Sequence, residues 1–403
     1  MWELIRANRR RSLILFIVMG VTLVLLGYLI GKAFDPVHGG TVGLVIAMVI
    51  VFILNLISIS SGSHIMLSVS HAKEIKPEMD PRLYHIVEEM RIAANLPKTP
   101  KVYIINSDAP NAFATGRTPD DWSIAVTSGL LARLNRDELQ GVIAHETSHI
   151  LNRDIRFMTY AGIMLGAIVI ISEIYLRGLI FTSGARYRSS SSGGGQAQLI
   201  LMIVAIVFAI LAPIAAQLLY FAISRKREYL ADASGARLTR YPEGLASALE
   251  KISNSTQDLE GANKVTAPMY IVNPLKGKGM KVSDLTSTHP PISERIHILR
   301  SMAGGTGYLT YEKAYSNITG KKQHIVPPSG RADTENPAIR QPSAEAAGGF
   351  DPVQSKRNAN NLVMAANKFR FINCPCGVKL KVPPNYQGDK VECPRCGRIH
   401  VVL

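Results

Sequence analysis

Four apolar runs, each long enough to cross a bilayer, set the frame within which the rest of this chain must fold. They cover roughly residues 12–30, 41–59, 157–176 and 198–221. In lipid every backbone N–H and C=O must find its partner within the protein, so each run is predicted to be a helix. The last two are interrupted, one by Glu173 and the other by Pro213 and Gln217. Glu173 lies one helical turn before Arg177, so an ion pair near the interface accounts for it better than a proton relay. Proline is tolerated in a membrane helix. Arg6, Arg9, Arg10 and Arg11 precede the first run, which predicts a cytoplasmic N-terminus. That run is too long for a signal-peptide core and reads as a signal anchor. A basic membrane-facing surface accounts for much of the net charge of +15.

Between the second and third runs lies His145-Glu146-Thr147-Ser148-His149, an H-E-x-x-H pattern. On a helix, positions i and i+4 share a face, so His145 and His149 can offer two imidazole nitrogens to one ion. Glu146 is turned about 100° away, beside a metal rather than on it, where a general base belongs. The helix is predicted independently. Asn135 is a good N-cap, Glu138 follows at the capping-box position, and Leu139, Val142, Ile143 and Ile150 form an apolar stripe. After the fourth run, Glu228 and Asp232 are one turn apart on another predicted helix. Alone such a pair means a solvated face; after H-E-x-x-H it suggests a ligand and the group that orients one.

Residues 101–106, 111–116 and 123–127 are predicted strands of a small sheet before the motif helix. Asn111, Ala112, Phe113 and Ala114 are the candidate edge that would hold a substrate backbone by strand addition, the plainer alternative being an ordinary hairpin strand. Residues 81–95 read as an amphipathic core-packing helix, 242–252 as another, and 253–284 as a long surface loop. A further helix is predicted over 291–302, started by proline and stopped by Gly304-Gly305. The loop 177–196, with its SSSSGGG tract, reads as flexible linker.

The composition after residue 323, rich in Pro, Ala, Ser, Asn and charge, predicts a disordered linker to about residue 369. The tail from 370 carries all four cysteines, Cys374, Cys376, Cys393 and Cys396. C-x-C, a gap of sixteen residues and C-x-x-C, each pair followed by glycine, match a zinc ribbon, although the first pair is one residue tighter than usual. So small a module needs its metal to fold. With cysteines confined to the tail, a disulfide framework for the body is excluded. The predicted divisions are a membrane hairpin over 1–60, the first catalytic part over 61–156 and a second hairpin over 157–222. The second catalytic part follows over 223–322, then the linker over 323–369 and the ribbon over 370–403.

Taken together, the four runs, N-A-F-A-T-G, H-E-T-S-H-I-L-N-R-D, R-E-Y-L-A-D and T-H-P-P with E-R following resemble the HtpX-type membrane zinc metalloproteases over about residues 1–303. These are gluzincins related to the CAAX prenyl endopeptidases. The resemblance implies a mostly α membrane protein carrying an α+β zincin domain, to which this chain adds a ribbon. It implies His145, His149 and Glu228 as ligands of a catalytic zinc and Glu146 as general base. It further implies that Asp232 orients a ligand histidine and that His289 stabilises an oxyanion. The implied role is endopeptidase cleavage of damaged or misfolded membrane proteins at the bacterial inner membrane, with catalytic domain and ribbon in the cytoplasm.

Rival readings are weaker. A prenyl-protein endopeptidase is associated with a larger multi-span chamber than four runs would build. A structural zinc scaffold has no use for Glu146. A membrane-anchored nucleic-acid binder would rely on Lys379, Lys381, Lys390, Arg395 and Arg398, but the ribbon offers only Phe371 and Tyr386 for stacking. The expected partners are therefore protein substrates and the lipid bilayer; the sequence names no partner for the ribbon.

Overall fold

The computed structural model describes residues 2–186, 195–259, 269–274, 289–321, 324–345 and 349–402. Helices α1 (Trp2–Phe34) and α2 (Gly39–Val69) form the first hairpin. Strand β1 (Lys73–Glu74) and helix α3 (Pro81–Ala93) follow, with Asp80 capping α3 and Leu83, Ile86, Val87 and Met90 buried on one face. Strands β2 (Lys101–Ile105), β3 (Ala112–Thr115) and β4 (Ser123–Thr127) complete a sheet of order β1-β2-β4-β3. β2 and β4 are parallel, with Lys101 opposite Ser123, and β3 is antiparallel to β4, with Ala112 opposite Val126. β3 is therefore an edge strand.

After the short helix α4 (Ser128–Arg133) comes α5 (Arg136–Leu151), the motif helix, closed by the predicted capping box between Asn135 and Glu138. Arg153 adopts φ 57°, which breaks the chain direction before α6 (Asp154–Arg186). Helix α7 (Gly195–Thr239) runs unbroken from the fourth apolar run into the catalytic domain. The four spans are Phe16–Phe34, Gly39–Ile57, Ala161–Leu179 and Gln198–Leu218. Glu173 and Arg177 do pair, at 3.6 Å. The loop expected over 177–196 is shortened at its start, since α6 continues to Arg186; the serine-glycine tract lies largely outside the described residues.

Helix α8 (Pro242–Ser253) packs on α5 so closely that a Cβ on Gly141 would lie 2.6 Å from the backbone nitrogen of Leu245. Helices α9 (Ile292–Arg300) and α10 (Tyr308–Thr319) close the domain around one core that joins α3, the sheet, α5, α7 and α8. Of the loop expected over 253–284, residues 269–272 are buried against the sheet; most of the remainder lies outside the described residues.

The disordered linker expected over 323–369 is corrected by the structure. Residues 333–343 lie along the catalytic domain. Arg237 pairs with Asp333 at 2.8 Å, and Asn336 bonds the backbone at Gly304 and Gly307. Arg340 donates to Asp137 and Gln140 on α5, both at 2.7 Å, to the carbonyl of Thr239 at the end of α7, and stacks on Tyr241. A short turn, α11 (Pro328–Arg331), precedes this strap. Helix α12 (Pro352–Ala366) follows it, capped by Asp351 and burying Ser355, Ala359, Leu362 and Val363. Polar composition misled because the strap gains its order from ion pairs and backbone bonds, not from an apolar face. The strap joins the two helices that carry the motif and Glu228. Arg340→Ala should destabilise the catalytic domain by about 1–3 kcal/mol, since it strips a buried carboxylate of a charged donor. Thermal unfolding with and without zinc would measure this; an unchanged transition would mean the strap is passive.

In the tail, β5 (Arg370–Asn373) pairs with β6 (Lys379–Val382) and β7 (Lys390–Glu392) with β8 (Ile399–Val401). Each cysteine pair sits in a tight turn before the second strand of its hairpin. Gly377 and Gly397 take φ 87° and 69°, backbone that a side chain would strain.

Candidate active site

Helix α5 places His145, Glu146 and His149 in full burial, and α7 brings Glu228 to them. The Nε2 atoms of His145 and His149 lie 3.2 Å apart, and each lies 3.5 Å from an oxygen of Glu228. Four tetrahedral ligands at zinc–nitrogen and zinc–oxygen distances would be separated by about 3.3–3.4 Å. The three groups therefore already stand at the spacing a zinc ion requires. Oε2 of Glu228 and Oε1 of Glu146 are buried without a hydrogen-bond partner among the described residues, two acceptors that a metal ion and its water would satisfy.

Charge balance points the same way. Burial alone would lower His149, but Asp154 and Glu228 outweigh it and lift it to about 10. Burial likewise opposes charge on His145, yet Asp232 and Glu228 raise it. A nest of carboxylates that pulls protons onto two buried imidazoles is one in which a dication relieves the same imbalance. Burial raises Glu146, as suits a group that must pick up a proton.

Each histidine is also held from behind. His145 Nδ1 is 2.9 Å from Asp232 Oδ1, as the resemblance implies for a group that orients a ligand. His149 Nδ1 is 3.3 Å from Asp154 Oδ2, and Arg227 lies 3.7 Å from the other Asp154 oxygen. Asp154 was missed at the sequence level, although it ends the quoted H-E-T-S-H-I-L-N-R-D stretch; its signal is its place in the turn after the motif helix. Arg295 was quoted in the E-R pair without a role, and it is fully buried against Asp232. His289 lies 3.8 Å from Glu228 Oε2, and burial lowers it to about 4, so it stands neutral at the rim of the cluster.

β3 borders the site. The amide of Asn111 donates to Thr127 and its carbonyl accepts from Thr127, so Asn111 faces β4. By alternation Ala112 and Ala114 turn their backbone groups outward. The N–H of Ala114 is directed at the Glu146 carboxylate. The carbonyl of Ala112 is taken by the amide of Ile271 at 2.9 Å, and Asn111 holds the carbonyl of Val272. Phe113 packs edge-on against Tyr270. The edge expected to be open over Asn111, Ala112, Phe113 and Ala114 is thus partly covered: the chain's own residues 271–272 occupy it at Ala112. They do so because Asn111 offers both a donor and an acceptor at that end.

The ribbon forms a second cluster. Its four sulfurs lie within 4.8 Å of one another, with Cys374 and Cys396 3.5 Å apart and Cys376 and Cys393 3.6 Å apart. These distances exclude disulfides and match the about 3.8 Å expected around tetrahedral zinc–thiolate. The backbone N–H of Arg395 helps hold the Cys393 thiol down to about 6. The C-x-C spacing does not keep the four sulfurs apart, because both hairpins present their turns to one centre.

Residues 77–303 match Peptidase family M48. A protein named Protease HtpX homolog from Dictyoglomus thermophilum is 47% identical over 301 residues, covering 75% of this chain and 94% of its own length. A protein of the same name from Streptococcus pneumoniae serotype 4 is 42% identical over 303 residues, covering 75% and 100%. Among solved structures, the crystal structure of S. mikatae Ste24p aligns with 22% identity and a TM-score of 0.40, covering 74% of this chain and 67% of that one.

Proposed function

Because the chain belongs to peptidase family M48 and is an integral membrane metalloprotease, we propose that His145, His149 and Glu228 hold its catalytic zinc and that Glu146 is its general base. The observation that carries this reading is the meeting of those three ligand groups within 4.8 Å, drawn from two helices on either side of a membrane hairpin. Bound there, zinc would supply Lewis-acid polarisation of the scissile carbonyl and of the attacking water. Glu146 takes the proton of that water and passes it to the leaving amine, so no covalent enzyme intermediate is needed. Asp232 and Asp154 hold the two imidazoles in the tautomer that leaves Nε2 free for the ion. His289, neutral and close by, donates to the oxyanion that develops on the carbonyl. A peptide lies along the outer edge of β3 at Ala114, beside Glu146. In the ribbon, Cys374, Cys376, Cys393 and Cys396 hold a second zinc that closes the module structurally.

The substrates are proteins, and misfolded or damaged membrane proteins are the class we favour. Glu228 lies ten residues beyond Leu218, the end of the fourth span, on the same unbroken helix, hence about 15 Å from the span's end at 1.5 Å per residue. A site that close to the bilayer meets chains as they leave it. The arginines before the first span support a cytoplasmic site at a bacterial inner membrane. Trapping tests this reading. Cells producing Glu146→Gln should accumulate membrane proteins bound to the enzyme relative to wild type. Enrichment of soluble proteins alone would overturn the substrate class.

A further inference from the structure

Arg295 has no exposed surface, and three parts of the site meet on it. Its Nε and Nη2 donate to the two oxygens of Asp232 at 2.8 and 2.7 Å. Its Nη1 donates to the carbonyl of Ile271 at 3.2 Å and lies 3.5 Å from Glu228 Oε2. Asp232 in turn stands against His145, and the amide of Ile271 donates to Ala112 on the edge strand. One path of close contacts therefore runs from His145, whose Nδ1 stands 2.9 Å from Asp232, through the hydrogen bonds of Arg295 to Asp232 and Ile271, to the strand beside Glu146.

The choice of residue is informative. Removing a guanidinium from water is costly, and an apolar side chain would fill the same volume more cheaply. An arginine is warranted where its rigid fork must satisfy separate acceptors at fixed angles. Here the acceptors belong to different segments: Asp232 to α7, and Ile271 to the stretch laid on β3. An ammonium carries its three donors on one nitrogen and does not reproduce the fork that reaches both Asp232 oxygens and the Ile271 carbonyl from separate atoms.

We propose that Arg295 is a positioning residue that sets the spacing between the ligand helix α7 and the substrate edge β3, and that the segment it holds, residues 271–272, closes that edge so that a bound peptide pairs from the carbonyl of Ala114 onward. This rests on the zinc-peptidase reading above. It adds that the register of the peptide is set by a buried cation on α9 that touches neither substrate nor the reacting atoms.

The test is Arg295→Lys in the full chain reconstituted in lipid, with zinc content and steady-state kinetics on an extended peptide measured together. Lysine keeps a charge for Asp232 and drops the bond to Ile271. Zinc content should stay at the wild-type level while KM rises about 10-fold or more, the loss expected from one hydrogen bond to a charged donor, and kcat changes less. A purely structural role would instead reduce the zinc-loaded fraction and leave KM of the remaining enzyme unchanged; that result overturns the proposal. If Arg295→Lys does not fold, Arg295→Met combined with Asp232→Asn removes both buried charges while leaving an acceptor for His145. It should show the same rise in KM, and a wild-type KM again overturns the proposal. Failure of the underlying zinc assignment shows separately, as full zinc occupancy after Glu228→Ala in a chain whose Arg295 is intact.

Discussion

Replacing Glu146 by glutamine is expected to abolish proteolysis, by about 1000-fold or more, with zinc still bound. The amide keeps the volume of the carboxylate and can still accept from the Ala114 backbone, but it cannot take a proton. Glu146 sits next to His145 in sequence yet is absent from the ligand cluster, so its loss should leave the three metal contacts in place. Burial raises its pKa, and among the described residues no other carboxylate is placed to replace it without giving up its present contact: Glu228 faces both imidazoles, Asp232 faces Arg295 and His145, and Asp154 faces His149. Turnover of an unfolded protein and metal content of the purified variant should be read together. Activity near wild type, or zinc lost along with activity, would remove Glu146 from the role of base.

Glu228→Ala should have the other large effect, and on the metal itself. The carboxylate bridges toward both ligand histidines and is the only group in the cluster contributed by α7. Without it two imidazoles remain, too few to hold zinc in competition with solvent, and the affected site should lose zinc affinity more than 100-fold, beyond the about 10- to 100-fold typical of losing a supporting group. Metal analysis should then fall from about two zinc ions per chain to about one, the ribbon keeping its own, with proteolysis gone. Asp232→Ala should reduce affinity less, because all three ligand groups remain, although it also leaves Arg295 without its carboxylate partner and should lower stability. Two zinc ions in Glu228→Ala would send the search for the third ligand to Asp232 and His289.

How much was legible before the fold was known depends on the range over which each signal acts. The capping box at Asn135 and Glu138, the motif on one helix face, the three central strands and the paired cysteine turns are local, and each is written within a few residues. The register of β3 against β4 is not written there, because β2 and β4 pair in space although β3 lies between them in sequence. The linker shows the limit most clearly. Its composition resembles that of disordered chains, yet Arg340 and Asn336 fasten it to partners far away in sequence. Even so, Asp351-Pro352 and the apolar positions at Ala359, Leu362 and Val363 were readable signs of α12 that average composition concealed.

By itself the sequence determined that this chain spans a membrane, that two histidines and a glutamate share one helix turn, and that four thiols can close a small module. Those follow from hydropathy, helical period and spacing, all properties of contiguous residues. Only the tertiary structure decided that Asp154 backs His149, that Arg295 joins Asp232 to Ile271, and that residues 271–272 cover the edge at Ala112. Each of these joins groups whose approach depends on how α6, α7 and α9 pack around α5. A buried charge has no local signature, because its tolerance is set by partners that only folding brings within reach.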